Sequence, residues 1–218
     1  MSKVEKRDEP RLLKLAKVAK FTEISLIIYV CIGALQVVAQ IASFFIGAPV
    51  GEPKNWDIPH LTTIFLLMGL ALLSFIVFLV SAAGFLQWMF RAYRNLKKIE
   101  APGVKHGEEW SVFYWFVPFV NLVKPFELVK EMWVATSKPG TTDKVPGIMR
   151  LWWTAWLLKG FFGYVAVQLV SGPQGFEIGT AIDLSGTIFG MGAALLLRQI
   201  VKSITAREEE LIPEITSS

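Results

Sequence analysis

The longest uncharged segment, Leu61–Phe90, has thirty residues and no Asp, Glu, Lys, Arg or His. A helix of that length reaches about 45 Å, more than the roughly 30 Å of hydrocarbon in a bilayer. Three further runs are nearly as apolar, and 53% of all residues are hydrophobic against 18% charged. The predicted spans are 24–48, 61–90, 151–170 and 178–197. We therefore expect an all-α integral membrane protein with four transmembrane helices in a single membrane domain.

The positive charges are concentrated in three segments of the chain. Twenty of the 22 Lys and Arg residues lie within 3–20, 91–150 and 198–207. The two remaining connections, 49–60 and 171–177, carry only Lys54. Because positive residues beside spans stay on the cytoplasmic side, both termini are predicted to be cytoplasmic, with a 91–150 cytoplasmic loop and a 198–218 cytoplasmic tail. The predicted location is the cell (inner) membrane. The basic face indicates anionic inner-leaflet lipids, not nucleic acid, as its contact.

Three segments outside the spans have patterns of their own. Residues 10–21 predict a basic amphipathic helix on the inner leaflet, with a soluble lead-in as the alternative. Residues 110–123 are charge-free and aromatic, but they are too short to span and Pro118 interrupts them, which indicates a re-entrant or interfacial segment. Residues 125–137 predict an amphipathic helix opened by Pro125, and Glu208–Glu210 with Pro213 reads as a solvated acidic end.

Two charges lie deep in the apolar runs, Lys159 and Asp183. A bare charge at mid-bilayer is costly, so both are expected to face the bundle interior as an intramembrane polar pair. One interpretation is a structural pair that joins the third and fourth spans, and the other is a polar site in an ion or proton path. Residues Gly186, Gly190 and Ala194 follow at four-residue spacing and predict a helix-packing stripe.

A second polar cluster is predicted on the cytoplasmic side. Its members are Arg91, Arg94, Asn95, Glu127 and Glu131. The two arginines are three residues apart and point to nearly the same side of a helix. Guanidinium groups there either bind a lipid phosphate or another anion, or pair with the two glutamates and clamp the 110–123 segment to the bundle.

Enzyme signatures are missing from the sequence. The single cysteine, Cys31, lies within a span, and His60 and His106 lie outside the apolar runs. One deep aspartate forms no aspartyl dyad, and no histidine lies near a membrane serine to act as its base. We therefore expect no catalytic residues, no metal ligands and no cofactor, and thus a protein that is not an enzyme.

Four segments carry a resemblance to a known family. They are FLQWMFRAYRNLKKI (85–99), WFVPFVNLVKPFELVKEMW (115–133), LWWTAWLL (151–158) and IVKSITAREEE (200–210). In order and spacing the chain resembles, over about residues 61–210, a bacterial membrane family called domain of unknown function 4328. The resemblance implies a four-helix inner-membrane architecture without assigned chemistry. The positions that match the family's pattern are Arg91, Tyr93, Arg94, Asn95, Pro118, Asn121, Pro125, Trp152 and Trp153.

Two functions lead among those that the sequence leaves open; an intramembrane or interfacial lipid enzyme ranks third, because the sequence does not indicate the polar cavity that it would need. The first is a non-enzymatic accessory, scaffolding or regulatory protein that acts through its cytoplasmic loop on a membrane-protein partner, because the outer connections are short. The alternative is an oligomeric channel-like or transporter-like protein that uses the Lys159 and Asp183 site, with copies joined through Gly186 and Gly190.

Overall fold

The computed structural model describes residues 14–46, 57–137, 146–170 and 175–217. Every regular element in this part of the chain is helical, as the apolar runs predict. The helices are α1 (Ala16–Ile46), α2 (Ile58–Lys98), α3 (Trp110–Phe113), α4 (Lys124–Ala135), α5 (Gly147–Val170) and α6 (Gly175–Ser217), with one short 3-10 helix at Val120–Leu122.

Helix α2 is longer than its predicted span and has well-defined signals at both ends. The Asp57 side chain caps its first turn by accepting the His60 backbone N–H at 3.1 Å. At the other end, the Ala101 N–H reaches the Leu96 carbonyl and the Glu100 N–H the Lys97 carbonyl. Glu100 has a positive φ of 52°. This is a Schellman stop, so the first residues of the predicted 91–150 loop are helical.

Helix α1 replaces the two helices predicted at 10–21 and 24–48. It is continuous from Ala16 to Ile46, since no Pro or Gly separates the two parts; residues 10–13 and 47–48 lie outside the described residues. Leu15, Val18 and Ala19 are buried within the protein. The described part of the predicted interfacial helix therefore packs its apolar side on protein.

The predicted cytoplasmic tail at 198–218 is the second segment in which the structure differs from the prediction. Helix α6 continues through it, because Ile200, Val201 and Ile204 keep the helical periodicity and are all fully buried. Glu208 is only 1% exposed, so the interpretation of a solvated acidic end is wrong at this residue.

Residues 110–123 contain little regular structure, as Pro118 predicts. Helix α3 has four residues, and Phe119 has a positive φ of 63°. Large apolar side chains point outward along the segment, and Phe116 and Phe119 are 70% and 83% exposed. We call residues 110–123 the aromatic segment. Helix α4 follows it close to the predicted 125–137 and buries Leu128, Val129 and Met132.

The chain divides into two compact units. The first unit comprises residues 14–20, 85–137 and 201–217 of the described chain, and its buried core includes Trp88, Tyr93 and Met132. The second unit comprises residues 21–46, 57–84, 146–170 and 175–200 and includes most of the exposed large apolar side chains of α1 and α2.

Three of the described helices are long and apolar enough to cross a membrane. They are Ala16–Ile46, Ile58–Lys98 and Ile178–Leu211. In the most apolar stretch of α2 no residue is buried inside the protein, so its side chains require an apolar surrounding. Helix α5 is not in this group, because Lys159, Gln168 and the tryptophans lower its mean hydropathy.

Candidate functional sites

A network centred on Glu131 joins three parts of the first unit. The hydroxyl of Tyr93, from α2, donates to Glu131 Oε2 on α4 at 2.7 Å. The His106 N–H donates to the Tyr93 oxygen at 2.9 Å, and His106 Nδ1 lies 3.1 Å from Glu131 Oε1. The Lys105 N–H also reaches Glu131 Oε2, at 3.4 Å. One carboxylate therefore ties α2, the turn before α3, and α4 together.

Burial raises the pKa of Tyr93, and the bond to Glu131 raises it further. The tyrosine therefore remains a neutral hydroxyl donor at any physiological pH. The arrangement has a histidine, a tyrosine and a carboxylate in contact, but each is used to hold another. Its evident role is to position the chain segments that carry it.

A second buried contact joins α2 to α6 within the first unit. Asn95 Nδ2 donates to Glu208 Oε1 at 2.8 Å, while Glu208 Oε2 is buried without a hydrogen-bond partner. Burial raises the pKa of Glu208 to about 8; the Asn95 bond lowers it and nearby Glu209 raises it. The carboxyl is therefore mostly protonated at neutral pH, which removes the cost of a buried charge.

Further contacts hold α6 in the first unit. Trp88 Nε1 donates to Thr205 Oγ1 at 2.9 Å. The Arg207 guanidinium lies 3.8 Å from the centre of the Trp133 ring, a cation–π contact between α6 and α4. Residues of α6 beyond its apolar part thus complete the core of this unit.

The predicted cytoplasmic cluster is divided among other partners. Arg91 Nη1 donates to the Lys14 carbonyl at 3.2 Å, and Glu127 pairs with Lys124 at 2.6 Å. Asn95 and Glu131 have the contacts given above. Among the described residues, neither Arg91 nor Arg94 forms an ion pair with Glu127 or Glu131, so the predicted clamp is absent. The reason is that Tyr93 and His106 occupy Glu131.

The guanidinium of Arg94 has a different environment. Its Nε is buried and has no hydrogen-bond partner. The bond from Lys97 to Glu108, 2.7 Å long, lowers the pKa of Glu108, and the Arg94 charge lowers it a little more. Arg94 therefore interacts with an acid of the turn before α3, through its charge alone.

The second unit contains a polar cluster centred on Asp183. Gln40 Nε2, on α1, donates to Asp183 Oδ2 on α6 at 2.5 Å. Gln36 lies one turn before Gln40 on α1, and Ser74 Oγ on α2 donates to its Oε1 at 2.9 Å. Sequence analysis missed both glutamines. The sequence did contain a signal for them, because they are the only amide side chains in the run 24–48 and lie four residues apart on one helix face.

Lys159 is near Asp183 but does not bond to it. Its Nζ lies 5.4 Å from the centre of the Phe78 ring, and the described residues have no Lys159–Asp183 ion pair within 4.0 Å. The two groups are close enough for their charges to interact. The predicted pair is thus an electrostatic one, and Gln40 is the direct hydrogen-bond partner of the aspartate.

The small-residue stripe of α6 lies against other helices of the second unit. A Cβ on Gly186 would lie 3.3 Å from Phe162 Cβ and 3.6 Å from the Gly163 nitrogen on α5. A Cβ on Gly190 would lie 2.9 Å from the Tyr29 hydroxyl oxygen. Ala194 is buried. Part of the stripe is therefore occupied within this chain, at α5 and α1.

Comparison with protein families gives one match. The family described as domain of unknown function (DUF4328) matches residues 62–206, well over half of the chain. The chain belongs to the DUF4328 family. The resemblance found in the sequence is thereby confirmed. The DUF4328 match includes Tyr93, Glu131, Lys159 and Asp183, and it ends before Glu208.

Other comparisons add no relative with an assigned activity. Neither a search of curated proteins nor a search of solved structures finds a match for the chain. Within the residues described here, no group of three or more His, Cys, Asp or Glu side chains is placed to hold a metal ion. The sites of this DUF4328 protein are therefore interpreted from their own chemistry.

Proposed function

We propose that this DUF4328 protein is a four-helix inner-membrane protein that acts as a non-enzymatic accessory, scaffolding or regulatory protein through its first unit. The observation that carries the proposal is that residues 91–137 are a large part of a folded unit with a buried core. A connection that only joined two spans would need neither the Glu131 network nor the buried Asn95–Glu208 contact.

The proposed topology adds α5 to the three apolar helices as a fourth span, with both termini in the cytoplasm. The distribution of positive charge supports it. Among the described Lys and Arg residues, only Arg150, Lys159 and Arg198 belong to the second unit. Tryptophans 152 and 153 beside Arg150 are the anchors expected where a span enters the interface.

Amine labelling of intact cells tests this topology. An impermeant reagent applied from outside is expected to label Lys54 and to leave Lys97 unlabelled, because only the first lies in an outer connection. After the cells are opened, Lys97, which is about half exposed even in its contact with Glu108, becomes reachable. Equal labelling of both lysines in intact cells would contradict the four-span arrangement.

The working surface of the proposed function is the aromatic segment. Its exposed side chains are Trp110, Phe113, Phe116, Val117, Phe119, Leu122 and Val123. An apolar, charge-free surface of this kind is stable only against lipid or against another protein. We infer that it lies at the inner membrane interface and contacts a membrane-protein partner there.

Photo-crosslinking in native membranes tests this role. A photoreactive amino acid in place of Phe116 is expected to form one protein adduct of defined mass, verified by crosslinking back from the captured partner. The matched control is the same substitution at Leu72, which is 62% exposed on α2 and is expected to give lipid adducts. If both positions gave only lipid adducts, the aromatic segment would be a membrane anchor, and this result would contradict the partner role.

The second candidate function is transport through an oligomer, and the Asp183 cluster favours it. Partly buried polar groups on three helices in an apolar unit are the kind of feature that lines solute paths. This candidate predicts that reconstituted protein carries an ion or solute flux which Asp183→Asn abolishes. A monomer in detergent without flux after reconstitution would remove it and leave the accessory function.

A further inference from the structure

The Arg94 guanidinium is a partly buried cation without a bonded partner. Its Nε is buried and accepts no partner, and no hydrogen bond or ion pair among the described residues involves its side chain. Glu108 is near enough for the two charges to interact, but its carboxylate is bonded to Lys97 Nζ at 2.7 Å. A guanidinium has several N–H donors, and leaving those of a charged group unmet is costly. The site therefore requires an acceptor from outside the described chain.

The surroundings of Arg94 are basic. Arg91, one turn earlier on α2, donates from Nη1 to the Lys14 carbonyl at 3.2 Å, and no described acid forms an ion pair with it. The same contact brings the start of α1, with the exposed Lys14 and Lys17, beside this turn of α2. Excess positive charge around an unpaired guanidinium favours an anion as the missing acceptor.

The position of Arg94 along α2 matches the phosphate level of a membrane. The charge-free run of α2 ends at Phe90. Arg94 follows it by about 6 Å along the helix axis. The headgroup region extends roughly 5–8 Å beyond the hydrocarbon on each side of a bilayer. With the run 61–90 in hydrocarbon, the guanidinium lies at the depth of phospholipid phosphates.

Two contacts set the height of the aromatic segment relative to Arg94. The Trp115 ring lies 5.4 Å from the ring of Phe85, which belongs to the charge-free run of α2. On the other side of Arg94 along α2, Lys97 binds Glu108. The exposed apolar side chains of the aromatic segment therefore follow Trp115 at the level of acyl chains, and the basic turn of α2 lies beyond them. This is the order in which a phospholipid presents its acyl chains and its phosphate.

We propose that Arg94, with Arg91 beside it, binds the phosphate of an anionic phospholipid of the inner leaflet, such as phosphatidylglycerol. A guanidinium donates two parallel N–H bonds to phosphate oxygens, which an ammonium does not. A neutral glycerol headgroup is preferred to choline, because the choline cation is repelled by Arg91 and Lys17. The inference rests on the proposed function for its topology, which brings Arg94 to the inner interface, but lipid binding is measured without a protein partner.

Thermal unfolding of the purified full chain in detergent tests the site. Phosphatidylglycerol and phosphatidylcholine are added to the micelles in two parallel series. We expect phosphatidylglycerol to raise the unfolding midpoint of the wild type more than phosphatidylcholine does, because a ligand that binds the folded state stabilises it. Arg94→Gln should weaken the apparent affinity for phosphatidylglycerol at least about tenfold. Arg94→Lys should weaken it less, because the charge remains and only the paired donors are lost.

The matched control is Lys130→Gln. Lys130 is exposed on α4 of the same unit, so this variant removes the same charge and leaves the two arginines in place. Its midpoint should follow the wild type in both lipid series. Equal losses of affinity in Arg94→Gln and Lys130→Gln would indicate a general attraction between a basic protein and anionic micelles, and would overturn the site.

Inorganic phosphate identifies the source of the phosphate group. It replaces chloride at constant ionic strength, without added lipid. A rise of the wild-type midpoint with inorganic phosphate, and none with phosphatidylglycerol, would overturn the lipid assignment. Equal responses to the two lipids would overturn it as well.

Two results separate this site from the accessory function. Phosphatidylglycerol binding by a protein that captures no partner would keep the site and remove the function, and partner capture without this binding would do the reverse. If Arg94→Gln does not fold, Arg94→Lys carries the test. A phosphatidylglycerol response of Arg94→Lys equal to that of the wild type would then contradict the proposal.

Discussion

Replacing Glu208 with Gln should abolish most of the loss of stability that the wild-type protein shows as the pH rises from about 5 to about 8. The pKa of Glu208 is about 8 in the folded chain, against the usual 4.5 of a glutamate carboxyl, so the folded state keeps its proton over most of this interval. A raised carboxyl pKa gives stability that is complete below pH 4.5 and lost as pH rises through about 8. The loss expected is on the order of 4 kcal/mol.

The measurement is the free energy of unfolding in mixed detergent between pH 5 and pH 9. Glu208→Gln keeps a neutral side chain of the same shape beside Asn95, so its stability should vary little over this range. The control is Glu210→Gln on the exposed side of α6, which should follow the wild-type curve. A wild type that is as stable at pH 8.5 as at pH 5.5 would show that Glu208 is not buried as described.

Gly186→Leu should destabilise the second unit by about 2–3 kcal/mol, because it inserts a side chain where α6 meets α5. The first atom added would lie 3.3 Å from Phe162 Cβ and within 3.7 Å of two backbone atoms of α5. Backbone atoms cannot move aside as a flexible side chain does. The helices must therefore separate or the leucine must adopt a strained rotamer.

The matched control lies on the same helix. A Cβ on Gly192 would have no heavy atom within 4 Å, so Gly192→Leu has room and should leave stability unchanged or raise it by about 0.5–1 kcal/mol through higher helix propensity. Both variants are compared by thermal unfolding in detergent. Equal effects of the two substitutions would indicate that the stripe is not an interhelical contact.

The long apolar helices were predictable because charge-free runs and helix length are properties of the sequence alone. The ends of these helices were harder to predict. The stop of α2 depends on Glu100 adopting a left-handed conformation, which composition does not indicate for a glutamate. The spacing of Ile200, Val201 and Ile204 indicates that α6 continues. The charges at Glu208–Glu210 led instead to the prediction of a solvated end.

The candidate sites were predictable only in part. Asp183 and Lys159 are clear signals of a polar site because charges are rare in apolar runs, whereas neutral glutamines are a weaker signal. The predicted clamp failed because a sequence shows that Arg91 and Glu131 could reach each other but not that Tyr93 and His106 compete for the same carboxylate. Competition for a partner is a property of the packed chain.

The bond between Gln40 and Asp183 crosses the boundary of the family match. Asp183 lies inside the part of the chain that matches the family, and Gln40 precedes it. The matched residues alone therefore lack the direct hydrogen-bond partner of Asp183.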